Sequence, residues 1–463
     1  MASVLLKHFK ALLFFLILTA GALPVEDNSK SLRARQVPIP PNEDPFYIPP
    51  AGYESAAPGT ILASRAVPSP ISAFELIPLS LAGAYQLLYR TADSFGNPTA
   101  TVTTILIPKN ANYSKLLSYQ VAEDASFINC APSYALQQFS ESGGFAGTVE
   151  TQVEILAIGA ALLQGWVVAM PDHEGPKAAF LANINSGQAT LDGVRAALSS
   201  AAITGLASRP VITMWGYSGG SVATSFAAEM QPTYAPDLII AGAAIGGLVP
   251  NISSATSLIN RSFAAGLIPG GVLGLAHEYP VIATALDEFL VPSRAATFRQ
   301  ADSQCLGANV LQFLFQDVIG TYFVNDSVLT RPDVLAVLNA NAVGQRAPQI
   351  PLFMYKSIND ELSAVQDTDA VYAAYCAGGT NVRYQRDLLS EHALLLITGI
   401  PSAILWLKDR MNSVPVTPGC SEANVISSLL DLKAQSVLGS ELVALLKEFN
   451  QLTEELIFEP QGS

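Results

Sequence analysis

Val211-Ile212-Thr213-Met214-Trp215-Gly216-Tyr217-Ser218-Gly219-Gly220 is the stretch that decides the fold. Val211–Trp215 is a continuous apolar run of strand length, and Gly220–Met230 opens a helix directly behind it. Between them stands a serine with glycine at −2 and +2. A sharp turn from a buried strand into a helix leaves no room for larger flanking side chains, and it presents the serine hydroxyl at a helix N-terminus. G-x-S-x-G alone is a common string. The strand before it and the helix after it make Ser218 a candidate nucleophile.

Working outward, other buried-strand patterns flank this turn. Ala100–Ile107 alternates Thr and Val and ends at Pro108; Leu117–Val121, Gly165–Met170, Leu238–Ile245 and Ile350–Tyr355 are further apolar runs of strand length. Asp192–Ala201 has helical spacing. Strands alternating with helices predict an α/β chain with a mostly parallel sheet covered on both faces. Strand signals stop between about 250 and 349, where helical segments such as Val281–Leu290 and Val310–Ile319 take over. That stretch is expected to be an inserted helical lid or cap, and its apolar run 266–276 either lines a binding surface or packs inward.

The expected division is a leader at 1–22, a polar arm or propeptide at 23–44, a core at 45–249, the helical insertion at 250–349, and the rest of the core at 350–463. The last part ends in an amphipathic helical extension, Val425–Phe458. The leader reading rests on Lys7 and Lys10, the apolar Ala11–Leu18 and the small Ala20-Gly21-Ala22, the pattern of a cleavable secretory signal. No later apolar run reaches the ~18 residues needed to span a bilayer.

Composition narrows the class further. Half of the 463 residues are hydrophobic and 13% are charged, against about 25% in an ordinary globular chain, so disorder is excluded as the main state. With 24 basic against 38 acidic residues, the net charge is −14, and −16 once the leader takes away two lysines and no acid. A nucleic-acid partner is excluded on that balance. Export is also suggested by an even number of cysteines (Cys130, Cys305, Cys376, Cys420) and by sequons at Asn112, Asn251, Asn260 and Asn325. Four widely spread cysteines fit disulfides better than zinc, in any of three pairings. His173-Glu174 and His277-Glu278 begin like H-E-x-x-H, but Lys177 and Val281 stand where the second histidine belongs. No metal and no cofactor are expected.

A serine hydroxyl needs a base, and outside the leader the chain offers only His173, His277 and His392. The chain order serine, acid, histidine selects His392. It leaves His173 and His277 as hydrogen-bonded structural residues. The acid is expected in the loop after Tyr355, with Asp360 ahead of Glu361, and Asp367 and Asp369 behind. Oxyanion donors are expected at the N–H of Gly219 and in the loop after Leu117–Val121, near Glu123-Asp124-Ala125.

From about Asp44 to Met411 the chain resembles the fungal secretory lipase family. The resemblance is carried by Ser118-Tyr119-Gln120 with Glu123-Asp124, Cys130-Ala131-Pro132-Ser133-Tyr134, Pro171-Asp172-His173-Glu174-Gly175-Pro176, Gly216-Tyr217-Ser218-Gly219-Gly220, Asn359-Asp360-Glu361, and Glu391-His392 before Gly399-Ile400-Pro401. His173 departs from the tyrosine expected in many members. The resemblance implies an α/β-hydrolase core with a helical lid, the triad Ser218, Asp360 and His392, and oxyanion donors at Gly219 and Asp124. It further implies the disulfides Cys130–Cys305 and Cys376–Cys420. The expected protein is a secreted, extracellular, monomeric serine lipase acting on acylglycerols at a lipid–water interface. An esterase for a small acylated metabolite and a non-catalytic binding protein of the same fold are the alternatives.

Overall fold

The computed structural model describes residues 37–73, 77–140 and 148–427. The expected leader and nearly all of the expected C-terminal helix fall outside the described residues. Ten strands form the main sheet: β1 (Ile61–Ala66), β2 (Leu81–Ala92), β3 (Pro98–Pro108), β4 (Asn112–Gln120), β5 (Trp166–Pro171), β6 (Val211–Tyr217), β7 (Ile240–Gly246), β8 (Leu352–Ser357), β9 (Val382–Asp387) and β10 (Ser421–Val425). Their spatial order is β1-β2-β3-β5-β4-β6-β7-β8-β9-β10. β1, β2 and β3 pair antiparallel, as do β3 and β5; every pairing from β5 to β10 is parallel.

The central parallel strands are apolar on both faces because helices cover both. All six residues of β5 are buried, as are all six of β8. One face carries the helices Asn183–Ser199 and Gly219–Tyr234, whose Leu191, Val194, Val222 and Phe226 join Ile105, Val167, Met214 and Ile245 of the sheet in one core. Gly187 lies where these two helices cross; a Cβ there would stand 2.9 Å from Phe226 and Met230. That contact explains why the first of them begins at Asn183 and not at the expected Asp192. Its N-terminal half is built of small and polar residues (Asn185, Ser186, Gly187, Gln188, Thr190) that are buried by close approach, so apolar periodicity is missing there.

Between β7 and β8 the chain is helical, and the expected segment at 281–290 is the helix Pro280–Phe289. The expected helix 310–319 is instead broken: Leu306–Gln312 and Val318–Tyr322 are separate, and Phe315 sits at φ 57° between them. The run 266–276 forms the helix Leu267–Glu278 in spite of its glycines. Those glycines let it lie against the 180–181 corner, where a Cβ on Gly271 would meet Leu181 at 2.6 Å and one on Gly274 would meet the Phe180 amide at 2.5 Å.

Two disulfides staple this frame. Cys130–Cys305 ties the loop after β4 to the helical stretch, and Cys376–Cys420 anchors the approach to β10. β10 begins at Ser421, directly after that bridge, and pairs with Arg383–Asp387. Its residues, Ser-Glu-Ala-Asn-Val, carry no strand pattern; it is an exposed edge, held by the staple and the backbone ladder.

Candidate active site

Ser218 occupies the turn between β6 and the helix Gly219–Tyr234, at φ 50° and ψ −123°, a backbone region that L-residues enter only when the surroundings force it. The surroundings do so here. A Cβ on Gly216 would overlap the Gly220 carbonyl, one on Gly220 would overlap the Gln120 carbonyl, and the Ser218 amide donates to Gly246 O at 3.0 Å. The Gly219 N–H opens the helix and has no intrahelical acceptor.

At the carboxyl end of the sheet, three side chains distant in sequence converge. His392 Nε2 lies 2.9 Å from Ser218 Oγ, and His392 Nδ1 lies 2.6 Å from Asp360 Oδ2. The ring is set by the backbone around it: Tyr217 donates its hydroxyl to His392 O at 2.6 Å, and the His392 amide donates to Glu361 Oε2 at 2.8 Å. Asp360 Oδ1 accepts the amides of Leu362 and Ser363. Of the four expected acids, Asp360 alone touches the imidazole. Glu361 holds the His392 backbone, and Asp369 bonds Tyr384 and Arg386.

The electrostatics match the geometry. Burial pushes the Asp360 carboxyl up, but His392 and Lys356 outweigh it and hold the group well below the usual carboxylate range. Burial favours a neutral His392 ring, yet the Asp360 charge prevails and raises its pKa above 6.5. A buried ion pair behind the acid was not anticipated from sequence. Lys356 Nζ lies 2.8 Å from Asp360 Oδ2 and donates to Leu248 O at 2.7 Å, with the side chain fully enclosed. The expected strand ended at Tyr355 with Lys356 in the loop, whereas β8 runs on to Ser357; the available signal was a lysine directly after an apolar run.

The loop after β4, where an oxyanion donor is expected, lies beside the turn at Ser218. Asp124, at φ 49°, lies over Gly219, so that a Cβ on Gly219 would meet the Asp124 carboxylate. The Asp124 amide donates to Glu174 Oε1 at 3.1 Å, so this N–H is already engaged. Glu174 and Glu123 are buried beside it. Burial first, and neighbouring carboxylates second, push both pKa values well above the usual range. Asp172, bonded to Ser133, is pushed up by burial to about 7. His173 is buried with Nε2 against Val121 O at 2.9 Å, and burial lowers its pKa to about 4. His277 bonds Lys177 O and faces Asp302. Neither approaches Ser218 as His392 does. Among the described residues no group of His, Cys, Asp and Glu is arranged to hold a metal.

A cavity of about 410 Å³ opens from Ser218, Gly219 and Asp124 and runs between apolar side chains of the helical stretch, including Ile252, Leu275, Leu286 and Phe323.

A family model described as secretory lipase matches residues 140–419, more than half of the chain. Lipase A of Arthroderma benhamiae is 49% identical over 434 residues, covering 93% of this chain and 92% of that protein. The chain belongs to the secretory lipase family. The crystal structure of Candida antarctica lipase A superposes with a TM-score of 0.79 at 30% identity, covering 89% of this chain and 96% of that one, and the α/β-hydrolase fold is shared. A Mycobacterium tuberculosis relative, 39% identical over 86% of this chain and 87% of its own length, bears the name "Probable inactive lipase MT1628". Membership and activity are therefore separate matters, and in this secretory lipase the serine–imidazole–carboxylate contacts carry the argument for activity. No helix among the described residues is long and apolar enough to cross a membrane.

Proposed function

We propose that this secretory lipase hydrolyses acylglycerol esters through an acyl-enzyme on Ser218. The single observation that carries the reading is the 2.9 Å contact from Ser218 Oγ to His392 Nε2, continued at 2.6 Å to Asp360. In the first half-reaction Ser218 Oγ attacks the ester carbonyl while His392 Nε2 takes its proton. The oxyanion is held by the Gly219 N–H and by the Asp124 loop. Collapse expels the alcohol, which receives the proton from His392. Water, deprotonated by the same ring, then releases the fatty acid and restores the serine. Asp360 keeps the Nδ1–H tautomer and stabilises the imidazolium.

An acyl chain is the natural occupant of the cavity. Its volume lies within the ~300–1,000 Å³ of small-molecule sites, and its walls beyond the catalytic end are mostly aliphatic. The helical stretch 250–349 supplies most of those walls, which supports its role as a lid. The enzyme so proposed is a monomer working at a lipid–water surface, its apolar cavity suited to an acyl chain drawn from that surface. The leader pattern, the acidic charge and the two disulfides support secretion to the extracellular space.

Replacing Ser218 by Ala tests the reading. Hydrolysis of triolein emulsions and of tributyrin is expected to be lost together with labelling by an organophosphonate. Retained hydrolysis would refute it. Activity of the wild type confined to acetyl and butyryl esters would favour the small-metabolite esterase instead.

A further inference from the structure

Lysine is almost never fully buried unless it is paired. Lys356, on β8, is fully buried, and its ammonium has two acceptors, Leu248 O at 2.7 Å and Asp360 Oδ2 at 2.8 Å. That carboxylate oxygen is the one that accepts His392 Nδ1 at 2.6 Å. With the amides of Leu362 and Ser363 on Oδ1, at 2.9 and 2.8 Å, four donors surround the acid and leave it one orientation.

Resting on the triad reading above, we propose that Lys356 is a positioning residue of the reaction: its buried ammonium fixes Asp360 and sets the lowest pH at which His392 serves as base.

The argument is electrostatic. Asp360 alone would draw a proton strongly onto the imidazole, because a carboxylate in a dry site stabilises imidazolium. A second cation on the same oxygen offsets part of that charge and disfavours protonation of the ring beside it. Its presence counts more here than at a surface, since burial weakens screening. The other groups facing the pair are few. Glu361 holds the His392 amide, Asp367 adds negative charge from the helix Val365–Ala377, and the Thr368 hydroxyl shares Leu248 O. Tyr217 and Ser218 face the ring from the β6 side. The ammonium of Lys356 pulls the His392 pKa down, against the upward pull of Asp360. Burial itself pulls the lysine below its ordinary value, and Asp360 acts against that pull.

The test is the pH profile of kcat/KM on a soluble ester such as p-nitrophenyl butyrate, with active sites counted by organophosphonate titration. In Lys356→Met the acidic limb is expected to move upward by about one pH unit or more, the usual effect of a unit charge within ~4–6 Å. Lys356→Gln, which keeps a hydrogen-bond donor and loses the charge, should move the limb the same way and serves where the methionine variant does not fold. Lys356→Arg should hold the limb near its wild-type position. The proposal is overturned if the limb stays put in the neutral variants while activity falls evenly at all pH values, because that is a purely structural lysine. It is equally overturned if the arginine variant moves as far as the neutral ones. Survival of activity in Ser218→Ala would instead overturn the triad reading, so the two failures are distinct.

Discussion

Replacing Gly216 by Ala should disable the enzyme while leaving its composition otherwise unchanged. A Cβ built on Gly216 overlaps the Gly220 carbonyl and stands 2.6 Å from Thr224 Oγ1, where ordinary contact begins at 3.4 Å. The overlap with the Gly220 carbonyl is the tighter of the two, so relief requires β6 and the helix Gly219–Tyr234 to separate by more than about 1 Å, an overpacking cost of ~1–3 kcal/mol. Ser218 sits on the turn joining those two elements. A shift of that size lengthens its 2.9 Å contact with His392 to well beyond hydrogen-bond range. Misplacement by ~1 Å costs on the order of 100-fold in rate, so kcat/KM should fall about that much at constant phosphonate-titrated protein. Gly159→Ala is the matched control. Beyond the helix's own backbone and the adjoining residues, no atom lies within 4 Å of the new methyl in the helix Ile155–Leu163, so stability should rise by ~0.5–1 kcal/mol with unchanged activity. A Gly216→Ala enzyme with wild-type kcat/KM would refute the claim that close strand–helix approach positions the nucleophile.

Activity on a soluble ester should rise with pH through a limb above 6.5, since Asp360 prevails over burial and raises the pKa of His392; a limb below 6.5 would contradict this. Stability should move the opposite way. Above the ordinary carboxylate range the unfolded chain holds fewer protons than the folded one, because Asp172 gives up its proton only at about 7 and burial pushes Glu123 and Glu174 well above their usual values. The stability that His392 contributes is lost as pH rises through its raised folded value, while the opposite contribution of His173, about 4 when folded, fades above its ordinary value of 6.5. Tm measured by calorimetry should therefore fall as pH rises above 6.5, and a rise would show the carboxyl cluster to be ionised. Removing Cys130–Cys305 should cost ~5 kcal/mol in the chain-entropy model and removing Cys376–Cys420 ~4 kcal/mol, as their separations of 175 and 44 residues imply; denaturant unfolding of the two double-alanine variants checks the order. On secretory expression, peptide mapping should find glycans at the exposed Asn112, Asn251 and Asn325 and not at Asn260, whose Nδ2 is committed to Asp317 Oδ1 at 2.9 Å.

The parts legible in the sequence are those where one physical demand controls several adjacent residues. The strands β4 to β8 were legible because burial on both faces forces continuous apolar runs, β3 because Thr and Val alternate along it, and the turn at Ser218 because a close approach forces glycine on both sides. His392 followed from scarcity and chain order. What stayed hidden depends on distant partners. The N-terminal half of the helix Asn183–Ser199 looks polar because its neighbour comes too close for large side chains, and β10 has no pattern because a disulfide and a ladder hold it.

The site divides along the same line. Ser218, His392 and Asp360 are named by type and order, but a motif cannot say whether an amide is already engaged. Asp124 is where the motif places it, yet its N–H is bonded to Glu174, a residue that the sequence assigned no part in the chemistry. Lys356 was printed in the loop that supplied the acid, next to Ser357 and four residues before Asp360. Its meaning depends on Leu248, from the far side of the helical stretch, to accept the second hydrogen bond. A charged residue in an apolar strand is costly wherever it is buried, so its presence at the back of the acid calls for a compensating role. Tuning the imidazole is a role that this geometry allows and that a surface lysine, screened by water, would not fulfil.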